Sequence, residues 1–264
     1  MQKLVEYKII SGRVVEVRRS WMPMGRGQKK PRAGRIAGNT SEKKIAANER
    51  AAVERLARIL NCNIERGWIF VTLKYDDAHL PADMDGLKKS AKKFLKKLRT
   101  AFKAEHGRTL RYITVNATRS TKHGGPARYH HHIVMEAVSA DLIRSLWHGG
   151  GSVICEDIDN RADHTALAVY LSRNTERAER GERSWETSRG NLAKPIFTEP
   201  EEVNSIDGIA ALPGSTVAAM SRTETEDGQA QSSYIRCVLP EKPEVRGGRV
   251  ILPKTRKRGG KLRI

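Results

Sequence analysis

The sequence predicts an α+β domain whose elements follow the order β-α-β-β-α-β, with one further helix after them. Three observations support this prediction. Four short runs are rich in β-branched and aromatic residues and read as strands. Two segments between them repeat apolar residues at helical spacing. The second and third runs are separated only by a Gly-rich turn, so they form a hairpin.

The first strand is "WIFVTLKY", residues 68–75, because aromatic and β-branched residues dominate it. Asp83 or Asp85 is placed to cap the helix that follows. Lysines fill the polar side of this helix. Its apolar stripe consists of Leu87, Ala91, Phe94, Leu95, Leu98, Ala101 and Phe102.

The remaining elements follow in the same way. Ser139 is placed to cap the second helix and Asp163 to cap the last one. In chain order the predicted elements are the strands "RYITVNAT" (111–118) and "YHHHIVME" (129–136), the helix "ADLIRSLW" (140–147), the strand "SVICED" (152–157) and the helix "HTALAVYLSRN" (164–174).

This order is the split βαβ arrangement of ferredoxin-like and RNA-recognition-like domains. It predicts an antiparallel sheet with helices on one face, which leaves the other face free to hold a ligand. Outside the domain the charge is uneven. Residues 1–58 hold fifteen basic and five acidic residues, residues 199–228 hold seven acids and one Arg, and residues 236–264 hold ten basic residues and two acids.

We therefore predict four regions. Residues 1–60 form a basic N-terminal arm and a helix, and residues 61–198 form the compact domain. An acidic, Ser/Thr-rich linker covers 199–235, and a basic tail covers 236–264. The net charge of +19 predicts a polyanionic partner, with nucleic acid the first candidate and an anionic membrane surface the second.

Composition also excludes several classes. No run of about 18 apolar residues exists, so we expect no membrane-spanning helix. The N-terminus lacks the pattern of a signal peptide. The three cysteines are far apart and form no CxxC pair, which argues against a disulfide framework or a zinc site. We expect a cytoplasmic protein.

Strand alternation selects the candidate site residues. His130 and His132 point to the same face of the third strand, where both rings can reach one metal ion. Asn116 on the neighbouring strand is expected opposite His130, as an oxygen ligand for the same ion. A histidine run on a strand is also found as polar surface or as hydrogen-bonded core rings. Phe70, Thr72, Lys74 and Tyr129 are the candidate DNA contacts, the two aromatic rings by stacking on unpaired bases.

Tyr170 lies in the last predicted helix, with Arg173 one turn further along the same side. A tyrosine hydroxyl becomes a competent nucleophile when its electrophile is polarised and nearby charge stabilises the oxyanion. A divalent ion held by His130 and His132 can polarise a phosphodiester in this way. The alternative role for Tyr170 is packing of an amphipathic helix.

Together these motifs resemble a family. "RYHHHIVM" looks like the His-hydrophobic-His motif of HUH endonucleases, and "WIFVTLKY" is similar to the first motif of their rolling-circle replication initiators. "ALAVYLSRN" resembles the tyrosine motif, and "SWETSRGNLAKP" (184–195) is similar to the segment that follows it in phage- and plasmid-type initiators.

The resemblance implies a site-specific single-strand DNA endonuclease and ligase that nicks a replication origin through a phosphotyrosine intermediate. Tyr170 would be the nucleophile, Arg173 its basic partner, and His130 and His132 ligands of Mg²⁺ or Mn²⁺. Single-stranded DNA, and host replication proteins besides it, would be the partners. No membrane partner is implied.

Two departures from the family pattern stand out. The family usually has Lys where this chain has Arg173, and many relatives supply an acid or Gln as third metal ligand, for which only Asn116 is near and Glu136 is too far. Two other interpretations stay open. One is a non-catalytic nucleic-acid-binding protein on an RNA-recognition-like sheet, and the other is an HUH transposase or relaxase with the same chemistry.

Overall fold

The computed structural model describes residues 2–23, 42–119, 125–175, 185–224, 230–246 and 249–251. Its helices are α1 (Glu42–Asn63), α2 (Met84–His106), α3 (Ala140–Leu146) and α4 (Thr165–Arg173). Its strands are β1 (Gln2–Ser11), β2 (Val14–Pro23), β3 (Ile69–Tyr75), β4 (Tyr112–Arg119), β5 (Pro126–Met135), β6 (Gly150–Asp157), β7 (Glu186–Thr187), β8 (Ile196–Phe197), β9 (Glu201–Glu202), β10 (Thr216–Glu224), β11 (Ala230–Val238), β12 (Glu244–Arg246) and β13 (Arg249–Ile251).

The chain divides into two compact units, one made of residues 52–193 and the other of residues 1–51 together with 194–264. The first is close to the predicted domain of 61–198. It has the predicted order β3-α2-β4-β5-α3-β6, and its sheet runs β6-β3-β5-β4-β7 with every neighbouring pair antiparallel. The predicted α+β fold class is confirmed.

Helices α2 and α3 cover one face of this sheet, as the alternation of β3 predicts. Ile69, Val71 and Leu73 point to that face and pack against the apolar stripe of α2. Helix α2 begins at Asp83, whose side chain accepts a hydrogen bond from the Gly86 amide at 2.7 Å. It ends at Gly107, whose φ of 69° is the left-handed conformation that glycine adopts without strain.

The opposite face is not free, and this part of the prediction is wrong. Helices α1 and α4 pack on it through residues such as Leu56, Leu60 and Leu171. The reason is that this face of the sheet is apolar too, since Ile113 and Val115 point to it rather than to α2. A surface of that kind must be removed from water.

The second unit corrects the predicted arm and linker. Residues 2–23 form the hairpin β1–β2, and the range 199–235 contains β9, β10 and most of β11. The sheet order is β10-β11-β2-β1-β8, with β9 also paired to β1. Val17, Ile235 and Cys237 build a small core on it with Ile209 and Leu212. These strands are Val- and Ile-rich, and that signal outweighs the charge bias on which the prediction rested.

The basic stretch of residues 24–39, within the predicted arm, and most of the tail from residue 252 onward lie outside the described residues. Among the residues that are described, no helix is both long enough and apolar enough to cross a membrane.

Glu136, at the end of β5, is a buried acid held by two arginines. Its carboxylate accepts hydrogen bonds from Arg108 Nη1 at 2.7 Å and from Arg111 Nε at 2.6 Å. Burial alone raises the pKa of Glu136, and the hydrogen bonds from Arg108 and Arg111 outweigh burial and leave the pKa lowered. The carboxylate is therefore charged in the folded protein and fixes the α2–β4 connection to the sheet.

We expect Glu136→Gln to lower the free energy of unfolding at neutral pH by about 2 kcal/mol, because it leaves two guanidinium groups without their charge partner at a buried position. A group whose pKa is lowered by folding stabilises above its unfolded value of 4.5, and that stability is lost as the pH falls through the folded pKa. Urea unfolding across acid and neutral pH should show the two proteins converging in acid. The exposed Glu105→Gln serves as control, and a pH-independent gap for Glu136→Gln would contradict the expectation.

Candidate functional site

Strands β3 and β5 bring the candidate site together on the face that carries α1 and α4. In their antiparallel register Thr72 lies opposite His132 and Lys74 opposite His130. Directly opposed residues point to the same face, so these four side chains form one patch, as the alternation predicts. The patch lines a cavity of about 470 Å³ together with Arg128, Ile154 and Tyr170.

The two histidine rings meet edge to face, and their Nε2 atoms are 3.1 Å apart. His130 Nδ1 donates to the backbone carbonyl of Arg128 at 2.8 Å, so in the neutral ring Nε2 carries the free lone pair. His132 Nδ1 lies 3.1 Å from the hydroxyl of Thr72. A hydroxyl can donate or accept, so Thr72 permits the tautomer in which His132 Nε2 is free as well.

Both rings favour the neutral form. Burial lowers the pKa of His130, and a hydrogen bond to the Arg128 carbonyl opposes the effect without reversing it. Burial, followed by the nearby charge of His130, lowers the pKa of His132 to about 3. Neutral imidazole is the state that binds metal ions, and the second ring nitrogen of each histidine already has an oxygen partner that orients it.

The spacing of the two Nε2 atoms fits a shared ion. Two nitrogens at about 2.1 Å from one metal are about 3.0 Å apart at a bond angle of 90° and about 3.4 Å apart in a tetrahedron. The observed 3.1 Å falls between these values. Within the described ranges of the chain, no group of three His, Cys, Asp or Glu side chains is placed to hold a metal. The site therefore offers two ring nitrogens, and the other ligand positions are left to water or substrate oxygens.

The predicted third ligand, Asn116, is on the wrong face. It lies opposite His131 rather than His130, and its side-chain oxygen accepts a hydrogen bond from His131 Nδ1 at 2.9 Å. The β4–β5 register differs by one residue from the predicted one, and a shift of one residue moves a side chain to the other face of a sheet. The residues opposite His130 and His132 on β4 are Ala117 and Val115, which cannot bind a metal.

His131, the middle residue of the run, belongs to the core. It is fully buried on the α2 face, where the Tyr75 hydroxyl donates to its Nε2 at 2.6 Å. Burial lowers the pKa of His131 to about 3, and the charges of the flanking histidines act in the same direction. With both nitrogens occupied inside the protein, His131 acts in folding and leaves the opposite face to its two neighbours.

Helix α4 places Tyr170 over the histidine pair. The Tyr170 ring centroid is 5.4 Å from that of His132 and 6.0 Å from that of Phe70, and Phe70 in turn stacks on His132 at 5.0 Å. Phe70 thus acts as a partly buried support for the site. The Tyr170 side chain is 37% exposed, so its hydroxyl-bearing ring is accessible from the cavity.

The other predicted contacts are distributed unevenly. Lys74 and Thr72 line the cavity. Tyr129 also borders it, but its side chain packs against the core on the α2 face, so Tyr129 and Phe70 do not form one stacking surface. Arg173 is exposed on α4 and is not among the residues that line the cavity.

Asn174 is a site residue that the sequence argument passed over in favour of Arg173. It is buried, its Nδ2 donates to the Tyr170 carbonyl at 2.8 Å, and a side-chain hydrogen bond with His132 acts to raise the pKa of that histidine. Its backbone carbonyl accepts hydrogen bonds from Thr118 and Arg119 in β4. The available signal was its position four residues after Tyr170, which places it on the same side of α4.

Comparison with protein families gives one finding for this region. Residues 68–176, about two fifths of the chain, match the model of a family described as replication-associated proteins of the ORF2 type. No curated protein and no solved structure matches the chain. The matched range contains the histidine pair, Thr72, Lys74 and Tyr170, and the match supports a replication-associated role for this chain.

Proposed function

We propose that this chain initiates replication by cutting and rejoining single-stranded DNA at an origin, with Tyr170 as nucleophile and a divalent ion at His130 and His132. The single observation that carries the proposal is the position of the Tyr170 ring, in contact with His132 and at the cavity where both Nε2 atoms are found. The family match over the same residues supports it. This is also the function that the resemblance to HUH endonucleases implies.

The chemistry is an exchange of esters. The Tyr170 oxygen attacks the phosphorus of a backbone phosphate, a bond forms between them, and the bond from phosphorus to O3′ breaks. The proton lost by the phenol is balanced by the proton gained at O3′. The new phosphotyrosine ester keeps the bond energy of the old phosphodiester, so the reverse attack by a 3′-hydroxyl rejoins the strand without another energy source.

His130 and His132 are the residues that would hold the ion. When bound there, Mn²⁺ or Mg²⁺ polarises a non-bridging phosphate oxygen and stabilises the charge that develops on it. A site with two imidazoles and no carboxylate should favour Mn²⁺, because Mg²⁺ prefers oxygen ligands in an octahedral arrangement.

Lys74 supplies a cation beside the histidines. It lies opposite His130, its side chain is exposed, and it lines the cavity. Arg128 adds a second cation at the rim, although its guanidinium is already paired with Asp77 at 2.6 Å. Of these two cations, Lys74 is the one that a phosphate entering the cavity can engage without displacing an acid, and such a contact positions the backbone without reading the base sequence.

A second candidate function is binding of nucleic acid without cleavage. One observation favours it: the described residues place no third acidic or histidine ligand beside the pair. Tyr170 would then serve as an exposed ring on which an unpaired base stacks. The two candidates differ in whether a covalent protein–DNA product forms.

The deciding experiment incubates the whole chain with labelled single-stranded oligonucleotides that tile the native origin region, with Mn²⁺ or with EDTA. The proposal expects a metal-dependent, denaturation-resistant adduct on a gel, together with a shortened product that ends in a 3′-hydroxyl. Retarded migration under native conditions without any adduct, for every oligonucleotide, would favour the binding function instead.

A further inference from the structure

Helix α2 carries an uninterrupted basic surface on the side away from the sheet. Between Leu87 and Ala104 the helix contains no acidic residue. We call its cations the lysine face: Lys88, Lys89, Lys92, Lys93, Lys96, Lys97, Arg99 and Lys103.

The geometry of α2 makes this face a flat, rigid array. At about 100° per residue, all eight cations fall within an arc of about 180°, and at about 1.5 Å per residue they extend over about 22 Å. The buried stripe, which includes Phe94, Leu98 and Phe102, occupies the other half of the helix and is fixed in the core. The charged ends therefore project from a helix that cannot rotate.

The middle of the lysine face is not compensated by acids. Same-charge pairs recur four residues apart, as in Lys89 with Lys93 and Lys92 with Lys96, and such pairs destabilise a helix. Among the described residues, no salt bridge neutralises these four lysines, whereas a cation elsewhere in this unit, Arg111, pairs with an acid. A surface built against the stability of its own helix is expected to have a polyanionic partner.

We propose that the lysine face binds the phosphate backbone of double-stranded DNA, as a surface separate from the proposed cutting site on the opposite face of the sheet. A rigid array without exposed aromatic rings suits the regular phosphates of a duplex, whereas a single strand is bound mainly by stacking. A membrane partner would require an exposed apolar side on α2, and that side is buried in the core. The partner extends the proposed function without depending on the chemistry of Tyr170.

The test compares two variants of the full chain at the same four positions. Lys89, Lys92, Lys93 and Lys96 are changed together to Gln, or together to Arg, which keeps the charge. Affinity for a labelled duplex of roughly 20 base pairs is measured by fluorescence anisotropy over a series of salt concentrations. Circular dichroism checks the helix, and Gln has nearly the same helix propensity as Lys.

The proposal expects the Gln variant to bind the duplex about tenfold more weakly or worse, with a plot of log K against log salt shallower by about 3, while the Arg variant stays close to wild type. Equal affinity and equal slope for the Gln variant and wild type would overturn it. So would unchanged duplex binding with lost binding to vesicles containing phosphatidylserine, which would make the partner a membrane. Adduct formation on a short single strand is measured in parallel, so a chain that binds duplex through α2 but never forms the adduct refutes only the proposed function.

Discussion

Tyr170→Phe should abolish strand cleavage and the covalent adduct together, with a loss on the order of 10³ or more in the rate of cleavage. One oxygen atom is responsible for both events if it is the nucleophile. The substitution keeps the ring, so the contacts with His132 at 5.4 Å and with Phe70 at 6.0 Å should survive. The folded structure and the affinity for single-stranded DNA are therefore expected to change little.

The measurement is a single-turnover cleavage assay with Mn²⁺, read on a denaturing gel, alongside binding to the same oligonucleotide. Tyr129→Phe is the matched control, because Tyr129 also borders the cavity but packs on the other face of the sheet. If Tyr170→Phe still cleaves and forms no adduct, the nucleophile is a water molecule. If it still forms the adduct, another tyrosine carries the reaction.

The structure confirms the part of the fold that depends on local signals. The period-two runs became β3, β4, β5 and β6, and the stripe and caps of α2 gave its ends within a residue or two. Alternation along β5 also places His130 and His132 on one face and His131 on the other. Each of these features depends on neighbours within one strand or one helix, which is what periodicity can report.

The errors concern pairings between distant residues. The position of Asn116 required the β4–β5 register, and a one-residue difference placed its side chain with His131. The hairpin of residues 2–23 pairs with β11, more than two hundred residues later, so nothing near it in sequence marks it as part of a sheet. Charge bias dominated the interpretation there, although charge reports on partners and solubility rather than on fold.

The covering of the second face by α1 and α4 belongs to the same class of error. Both helices were predicted from their sequence, and only their docking was missed. The docking matters for function, because α4 is the element that brings Tyr170 and Asn174 to the histidine pair. The candidate residues could be selected from the sequence, but the contact between the Tyr170 ring and the histidine pair required the tertiary structure.

Replacing both His130 and His132 by Ala should remove the binding of Mn²⁺. In the wild type, an ion bound only by the folded state should stabilise it by about 2.7 kcal/mol at a concentration a hundred times its Kd. That corresponds to a rise in Tm of about 5–10 °C. The double variant should melt at the same temperature with and without Mn²⁺, and calorimetric titration should show no heat of binding.

Two further variants make this result specific. Thr72→Val keeps both rings but removes the hydroxyl 3.1 Å from His132 Nδ1, so it should weaken Mn²⁺ binding about tenfold or more by leaving that ring unoriented. His148→Ala removes an exposed histidine outside the cavity and should leave binding unchanged. Equal Mn²⁺ affinity in the wild type and the double variant would place the ion elsewhere in the chain. A wild type that binds no divalent ion at all would leave the facing Nε2 atoms as a hydrogen-bonded pair supported by Thr72, and Tyr170 would then be a base-stacking residue of a protein that holds single strands without cutting them.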